Sequence, residues 1–369
     1  MFRKANHPPK PTTADAKDAA ITETGPCQKS LRLHVGLEAI TPIRTLIIGE
    51  FQKRTTLPGF RKGKAPTDLV ERQYAQPIQD ETLSRVTKQT LEQAVKTYDL
   101  RPVGPFELRR ADFNQHDGLI LEAAVEVEPS FELHHYKGIA LKRLSTEVTP
   151  REVEEGLAKL QESMAQLEPT PDGQSKEKKL PALDDELAKD LGFATLEQLK
   201  EHLGAKFREQ KRQAQTRALE SALCDELLKR HAFTVPPKLV SHQTERLTRD
   251  FKARLLISGM TEPVAGEETK KFTEQLHRSA ERNVKLAFIM DRIADQESLS
   301  VSQDEIVARL WELSQRWKKD PAEVRKIFDA EGLWPSVVSA IRQEKTTAFL
   351  LSAATITDDA IPTTQPSAT

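Results

Sequence analysis

Hydrophobic positions along this chain follow two periods, and each predicts a different kind of element. Leu31, Leu33 and Val35 alternate with Arg32 and His34, the two-residue period of a half-buried strand. Leu119, Leu121, Ala123, Val125 and Val127 alternate with Glu122, Glu126 and Glu128 up to Pro129, and Phe106 to Arg110 offers a further short strand. Between these stretches the spacing is helical. Thr41-Pro42 supplies the residue types of an N-cap and a first-turn proline ahead of Ile43, Leu46, Ile47 and Phe51. A longer pattern runs through Leu83, Val86, Leu91, Ala94, Val95 and Tyr98 until Arg101-Pro102 stops it.

From Thr149 the helical period takes over and persists. Val153, Leu157, Leu160, Met164 and Leu167 begin it, and stripes such as Leu219, Leu223 and Leu227 or Ile306, Leu310, Leu313 and Trp317 continue it. Thr149 with Glu152, Thr195 with Gln198, Ser302 with Glu305, and Asp320-Pro321 with Glu323 all have the capping-box spacing, in which the two side chains satisfy each other's backbone N–H groups. The fold class that follows is α+β: an N-terminal α+β domain with its connecting strand over 29–145, then a mostly α-helical domain of long amphipathic helices over 146–357 with no strand among them. Each apolar stripe, Trp311 to Trp317 included, reads as buried core. Residues 1–28 and 358–369 are polar and aperiodic and predict disordered tails, while 168–179 reads as a short Pro/Gly-rich linker.

Composition narrows the function. The 369 residues carry 55 Lys plus Arg against 56 Asp plus Glu, so any basic surface must be local, which disfavours general nucleic-acid coating. Cys27 and Cys224 are the two cysteines, too few for a disulfide framework or a cysteine zinc site, and a reducing compartment fits. A basic start without an apolar stretch predicts no secretory signal, and no apolar run is long enough to span a bilayer, so a cytoplasmic protein with no membrane partner is expected. No catalytic constellation, metal cluster or cofactor motif stands out. Gly59 to Ala65 has three residues between its glycines and Ala after the Lys, which fails the Walker spacing. His134-His135 would point to opposite faces of a strand, as two solvated histidines, and Cys224 sits beside a leucine stripe as a packed thiol.

The segment from Phe51 to Pro66 is different. It holds five cations, Lys53, Arg54, Arg61, Lys62 and Lys64, with no acid, and an aromatic between Gly59 and Arg61. As plain surface it is a solvated basic loop. As a site it is a docking tip, with Arg61, Lys62 and Lys64 meeting phosphates or acidic groups and Phe60 supplying an apolar anchor.

Gly59-Phe60-Arg61-Lys62-Gly63-Lys64-Ala65-Pro66 resembles the G-F-R-x-G-K-x-P signature of the trigger factor family of ribosome-associated bacterial chaperones. Val125-Glu126-Val127-Glu128-Pro129, Leu180-Pro181-Ala182-Leu183-Asp184-Asp185-Glu186 and Lys319-Asp320-Pro321-Ala322-Glu323-Val324 are also similar to family segments, and the likeness extends over about 29–357. The resemblance implies a ribosome-binding domain followed by a helical chaperone domain, acting without ATP on nascent chains in folding and export. Gly59, Phe60, Arg61, Lys62, Gly63, Lys64 and Pro66 would form the ribosome-binding site, with an exit-tunnel protein and rRNA of the large subunit as partners, unfolded polypeptides as clients, and a homodimer off the ribosome. The family normally inserts an FKBP-like prolyl isomerase domain where only Glu168 to Lys179 stand here, so the isomerase activity of full-length members is not expected. The alternatives are a chaperone that keeps that activity, a ribosome- or RNA-binding adaptor without chaperone activity, and a periplasmic helical relative, which would leave the loop signature unexplained.

Overall fold

A computed structural model describes residues 19–114, 116–169 and 176–358, the side chains of 166–169 and 176–179 excepted. The chain begins β1 (Ala20–Gly25), β2 (Gln28–Val35), α1 (Leu37–Arg54), α2 (Thr67–Gln73), α3 (Ala75–Thr97), β3 (Glu107–Asn114) and β4 (Gly118–Glu126). It continues with β5 (Ala140–Arg143), α4 (Pro150–Ser163), β6 (Gln166–Pro169), β7 (Lys176–Lys179), α5 (Asp185–Asp190) and α6 (Leu196–Arg230). The last elements are α7 (Pro237–Ile257), α8 (Glu262–Lys271), α9 (Thr273–Gln296), α10 (Gln303–Trp317), α11 (Pro321–Glu331), α12 (Trp334–Ser352) and β8 (Thr355–Asp358). This is the α+β architecture, but the two compact units interleave in sequence. One is drawn from Met1–Glu132 and Ala232–Phe288, the other from Leu133–His231 and Ile289–Thr369, where the change of period suggested contiguous segments.

In the first unit an antiparallel sheet has the order β1-β2-β4-β3. The two-residue period explains its core: Leu31 and Leu33 of β2 and Leu119 and Leu121 of β4 are fully buried, in one cluster with Val86 and Ala94 of α3. On the opposite face Arg32 and Glu122 pair at 3.6 Å and Arg110 meets Asp112 at 2.5 Å, so polar residues fill the outward positions. Gly118 opens β4 with φ 96°, and a Cβ there would lie 2.1 Å from the Val35 carbonyl oxygen, so only glycine lets the two strands close at this end.

Three features depart from expectation here. Residues 20–28, assigned by composition to a tail, form β1 and its turn into β2. The strand was hidden because its pairing is mostly backbone; Ala19 and Ile21 alone pack on the core, and the two-residue Pro26-Cys27 turn needs φ 57° at Cys27. Residues 1–18 and 359–369 lie outside the described residues. Second, α1 starts at Leu37, because Ile40 belongs to the sheet core, and this puts Pro42 inside the helix; Thr41 is not its cap, its hydroxyl donating instead to the Leu37 carbonyl at 2.8 Å. Third, α7 joins this unit at its N-terminus. The buried Glu126 carboxylate accepts the Lys238 backbone N–H at 3.0 Å and the Gln28 amide at 3.3 Å, in the way an N-cap side chain would. Phe131 stacks on Phe233 at 4.2 Å, Lys238 pairs with Glu107, and the Cys27 thiol donates to the Thr234 carbonyl at 3.3 Å.

The second unit is built on helices whose starts follow the capping chemistry. Thr149 and Ser302 make reciprocal boxes with Glu152 and Glu305. Thr195 accepts from the Gln198 N–H while Gln198 reaches the Ala194 N–H instead of the cap's own, and Asp320 accepts from the Ala322 N–H rather than from Glu323. Helices α4 and α6 approach closely at Gly156, where a Cβ would sit 2.5 Å from the Phe207 ring, above a cluster of Leu157, Ala188 and Leu199. Strands do occur beyond Thr149. The segment read as a linker holds the paired strands β6 and β7, and β8 lies parallel to β5; backbone ladders need no hydrophobic alternation, which is why the pattern missed them. The α10 stripe is not all core either: Trp311 is 58% and Trp317 43% exposed.

Gly118→Ala is expected to destabilise the first unit by roughly 2 kcal/mol or more, since it combines a forbidden φ with a backbone clash; an unchanged urea midpoint would contradict the strand closure described. Glu305 accepts from Lys345 at 2.8 Å and from the Ser302 N–H at 2.7 Å, which together hold its carboxyl down to about 2. Its folded value lies below the unfolded one, so the stabilisation is complete above the ordinary carboxylate range and fades as the pH falls toward about 2. Lys345→Met should raise the Glu305 midpoint in a carboxyl NMR titration.

Candidate functional site

The basic segment leaves α1 at Thr55, whose hydroxyl and N–H both donate to the Phe51 carbonyl and end the helix. Two tight turns follow in tandem. The Phe60 N–H donates to the Leu57 carbonyl at 3.1 Å across Pro58-Gly59, and the Lys64 N–H to the Arg61 carbonyl at 2.9 Å across Lys62-Gly63. Gly59 and Gly63 take the third position of each turn with φ of 84° and 79°, the geometry that calls for glycine, and Pro58 suits the second position of the first. Pro66 then opens α2 in the N-cap position, where no amide hydrogen is needed.

This backbone decides what the side chains do. Phe60 is 38% exposed at the tip, and Arg61, Lys62 and Lys64 are exposed around it. Among the described residues none of the five cations of this segment forms an ion pair. The sequence-selected residues Gly59, Phe60, Arg61, Lys62, Gly63, Lys64 and Pro66 therefore share one short loop, with the glycines shaping it and the aromatic and cations at its surface.

Residues that the sequence did not single out hold the loop in place. Ala65 is buried against Ile47, Val70 and Ile78, with Phe51, Leu57 and Tyr74 at the edge of that cluster. Gln52 donates to the Ala65 carbonyl at 2.6 Å, and the Phe51 and Tyr74 rings lie 6.0 Å apart. Arg44 of α1 clasps Glu71 of α2 at 2.8 Å, and Arg85 of α3 meets Glu50 of α1 through two bonds at 3.0 and 3.1 Å. The Arg85 bond keeps the Glu50 carboxyl below its ordinary range, with Arg54 and Lys53 adding to the effect. No periodicity signals these pairs, because their members lie in different helices.

The other candidate residues form no comparable site. His134 and His135 are exposed in the connection before β5, not in a strand. The His134 backbone N–H donates to Nε2 of the buried His231, whose Nδ1 faces the Leu227 carbonyl at 2.7 Å, so Nδ1 of His231 carries its proton. Cys27 and Cys224 are half-buried thiols, and burial first, then Glu126, pushes the Cys27 thiol up. Among the described residues no group of three potential metal ligands comes together and no helix is long and apolar enough to cross a membrane.

Gly59→Ala meets open space, so its expected cost of about 1 kcal/mol isolates the turn's φ requirement. Because the folded Glu50 value is depressed, the stability gap between the natural protein and Arg85→Met should be full at neutral pH and shrink as the pH drops below about 4. A gap independent of pH would rule out the ion pair as its source.

Two models of one family match the chain in succession: bacterial trigger factor protein over 18–160, and the bacterial trigger factor C-terminus over 195–352. The trigger factor of Geobacillus kaustophilus is 24% identical over 388 aligned residues, taking in 81% of this chain and 90% of its own. That of Carboxydothermus hydrogenoformans is 24% identical over 409, taking in 87% and 95%. A solved structure of the trigger factor chaperone, described for promiscuous substrate recognition in folding and assembly, covers 91% of this chain and 99% of its own with a TM-score of 0.53 at 18% identity, a likeness of fold. With the N- and C-terminal models matched in order and relatives aligned along most of its length, the chain belongs to the trigger factor family.

Proposed function

We propose that this chain docks on the large ribosomal subunit beside the exit tunnel through the loop of Gly59 to Pro66 and shields emerging polypeptides without ATP. A folding-chaperone role comes with the family. What supports docking at this loop is one observation: Phe60 stands exposed on a tip of two glycine turns, ringed by Arg61, Lys62 and Lys64 with no ion-pair partner among the described residues. An aromatic held outward by a firm backbone suits an apolar hot spot on a protein, and unpaired cations suit the phosphates of rRNA. Gly59, Gly63 and Pro66 shape the tip. Such contacts are fast, reversible and weakened by salt, which fits repeated cycles on translating ribosomes in the cytoplasm, with self-association off the ribosome.

The segment 164–184, between α4 and α5, is far shorter than the ~50 residues a domain needs, so holding rather than prolyl isomerisation is the activity proposed.

Co-sedimentation with purified bacterial 70S ribosomes tests docking. The intact chain should bind near stoichiometrically at moderate salt, and the Phe60→Ala, Arg61→Ala, Lys62→Ala triple variant at least about tenfold more weakly. Equal binding by both would remove the loop from the interface. In a protease-coupled proline assay the chain should match the uncatalysed rate, and clear catalysis would overturn the holding-only reading.

A further inference from the structure

Helix α7 ends in three consecutive apolar residues, Leu255, Leu256 and Ile257, and the chain turns at once through Ser258 and Gly259 to Met260. The turn closes on itself. The Gly259 N–H donates to the Leu256 carbonyl at 3.0 Å and the Met260 N–H to the Leu255 carbonyl at 3.2 Å, with Gly259 at φ 94°, the crossed pair of bonds by which a glycine ends a helix. The Ser258 N–H reaches the Arg254 carbonyl at 3.0 Å and its hydroxyl the Leu255 carbonyl at 2.7 Å. Helix α8 then packs back on α7, with the Phe251 and Phe272 rings 5.2 Å apart and Lys252 paired with Glu262 at 3.0 Å.

The result is an apolar tip whose polar groups are already engaged. Leu256, Ile257, Met260 and Val264 are all exposed, and Ile257, at 87%, is the most exposed large apolar side chain among the described residues. A side chain with so much of its surface open has no wall beside it, so the tip is convex. Because the amides from Ser258 to Met260 and the Ser258 hydroxyl are bonded within the turn, water can leave the tip without stranding a donor. An extended polypeptide laid on a convex tip covers it from one side, whereas a lipid headgroup layer closes round it. Charge favours the same occupant. Arg249 and Arg254 in the last turns of α7 are exposed and form no ion pair among the described residues; Asp250, likewise unpaired there, offsets one of them, and Glu262 is held by Lys252. Arg254 stands one turn behind Ile257, where its long stem reaches back toward anionic headgroups.

We infer that the turn between α7 and α8 is a membrane-surface contact: Leu256, Ile257, Met260 and Val264 enter the headgroup layer of an anionic bilayer, and Arg254 pairs with a lipid phosphate. The expectation of no membrane partner came from the lack of a spanning segment, and a contact this shallow needs none. It goes beyond the ribosome docking and shielding proposed above and depends on neither. With four apolar side chains and one net cation, attachment is weak and reversible.

The full chain would be floated with extruded vesicles of phosphatidylglycerol and phosphatidylcholine, and with vesicles of phosphatidylcholine alone. At low salt it should bind the mixed vesicles about fivefold more tightly than the neutral ones. Ile257→Asp, at an exposed position that leaves the fold intact by circular dichroism, should bind the mixed vesicles at least about tenfold more weakly, and Arg254→Glu should remove the preference for anionic lipid. Ile257→Trp should add a blue-shifted emission that brominated lipid quenches. No flotation, or flotation that Ile257→Asp leaves unchanged, would overturn the inference, and ribosome co-sedimentation of the same variant reads docking separately. If Ile257→Asp keeps vesicle binding and loses its hold on reduced, carboxymethylated lactalbumin, the tip belongs to polypeptide; if it keeps vesicle binding and dissociates a dimer in sedimentation equilibrium, the tip belongs to a second copy. Either result would overturn the inference as well.

Discussion

The seating of Ala65 among Ile47, Val70 and Ile78 is the contact on which the basic loop depends. A loop tip with two glycines has many conformations open to it, and the entropy of that freedom opposes any fixed display of Phe60. Burying one methyl group directly after the second turn, with Gln52 holding the carbonyl of the same residue, ties the far end of the loop back to α1. The Arg44–Glu71 and Arg85–Glu50 pairs then fix α2 and α3 against that helix. Such half-exposed pairs contribute little stability individually, and their consequence here is geometric: they join three helices at the loop's base, so the polar tip projects from a backbone tied down at its far end.

How much of this was legible in the sequence depends on where each element's stability comes from. The alternations at 31–35 and 119–127 are written in side chains, and both strands lie where the period puts them. The helix starts at Thr149, Thr195, Ser302 and Asp320 are local chemistry within three residues, equally readable, although the reciprocal bond formed at only two of them. Elements held by backbone pairing to distant partners left no such trace: β1, the β6–β7 pair and β8 carry too few apolar residues to show a period. Pro42 misled because a proline one turn inside a helix has the same local signature as one at its first position, and only the burial of Ile40 decides between them. For the loop, the eight consecutive residues disclosed the tip, while the pairs that brace it join residues 27 and 35 positions apart and could not be read. The exposure of Trp311 was also beyond reach, since a helical stripe tells which residues share a face but not whether another helix covers it.

The bond from Glu126 to the Lys238 amide spans 112 positions, and everything from Leu133 to His231 lies between its ends. A ribosome makes the chain in order, so the sheet with α1 and α3 is complete while the residues that finish its unit are still unsynthesised. During that interval Glu126 has no helix to cap and the Phe131 ring has no Phe233 to stack on. A carboxylate that will be buried then remains hydrated, and the final docking of α7 must remove its water in a late step, after Leu133–His231 has been synthesised. Birth of the molecule is therefore expected to begin with the sheet and to finish the first unit only when α7 closes onto β4, a stage slowed by the long separation of its contacts, while the second unit still awaits Ile289–Thr369.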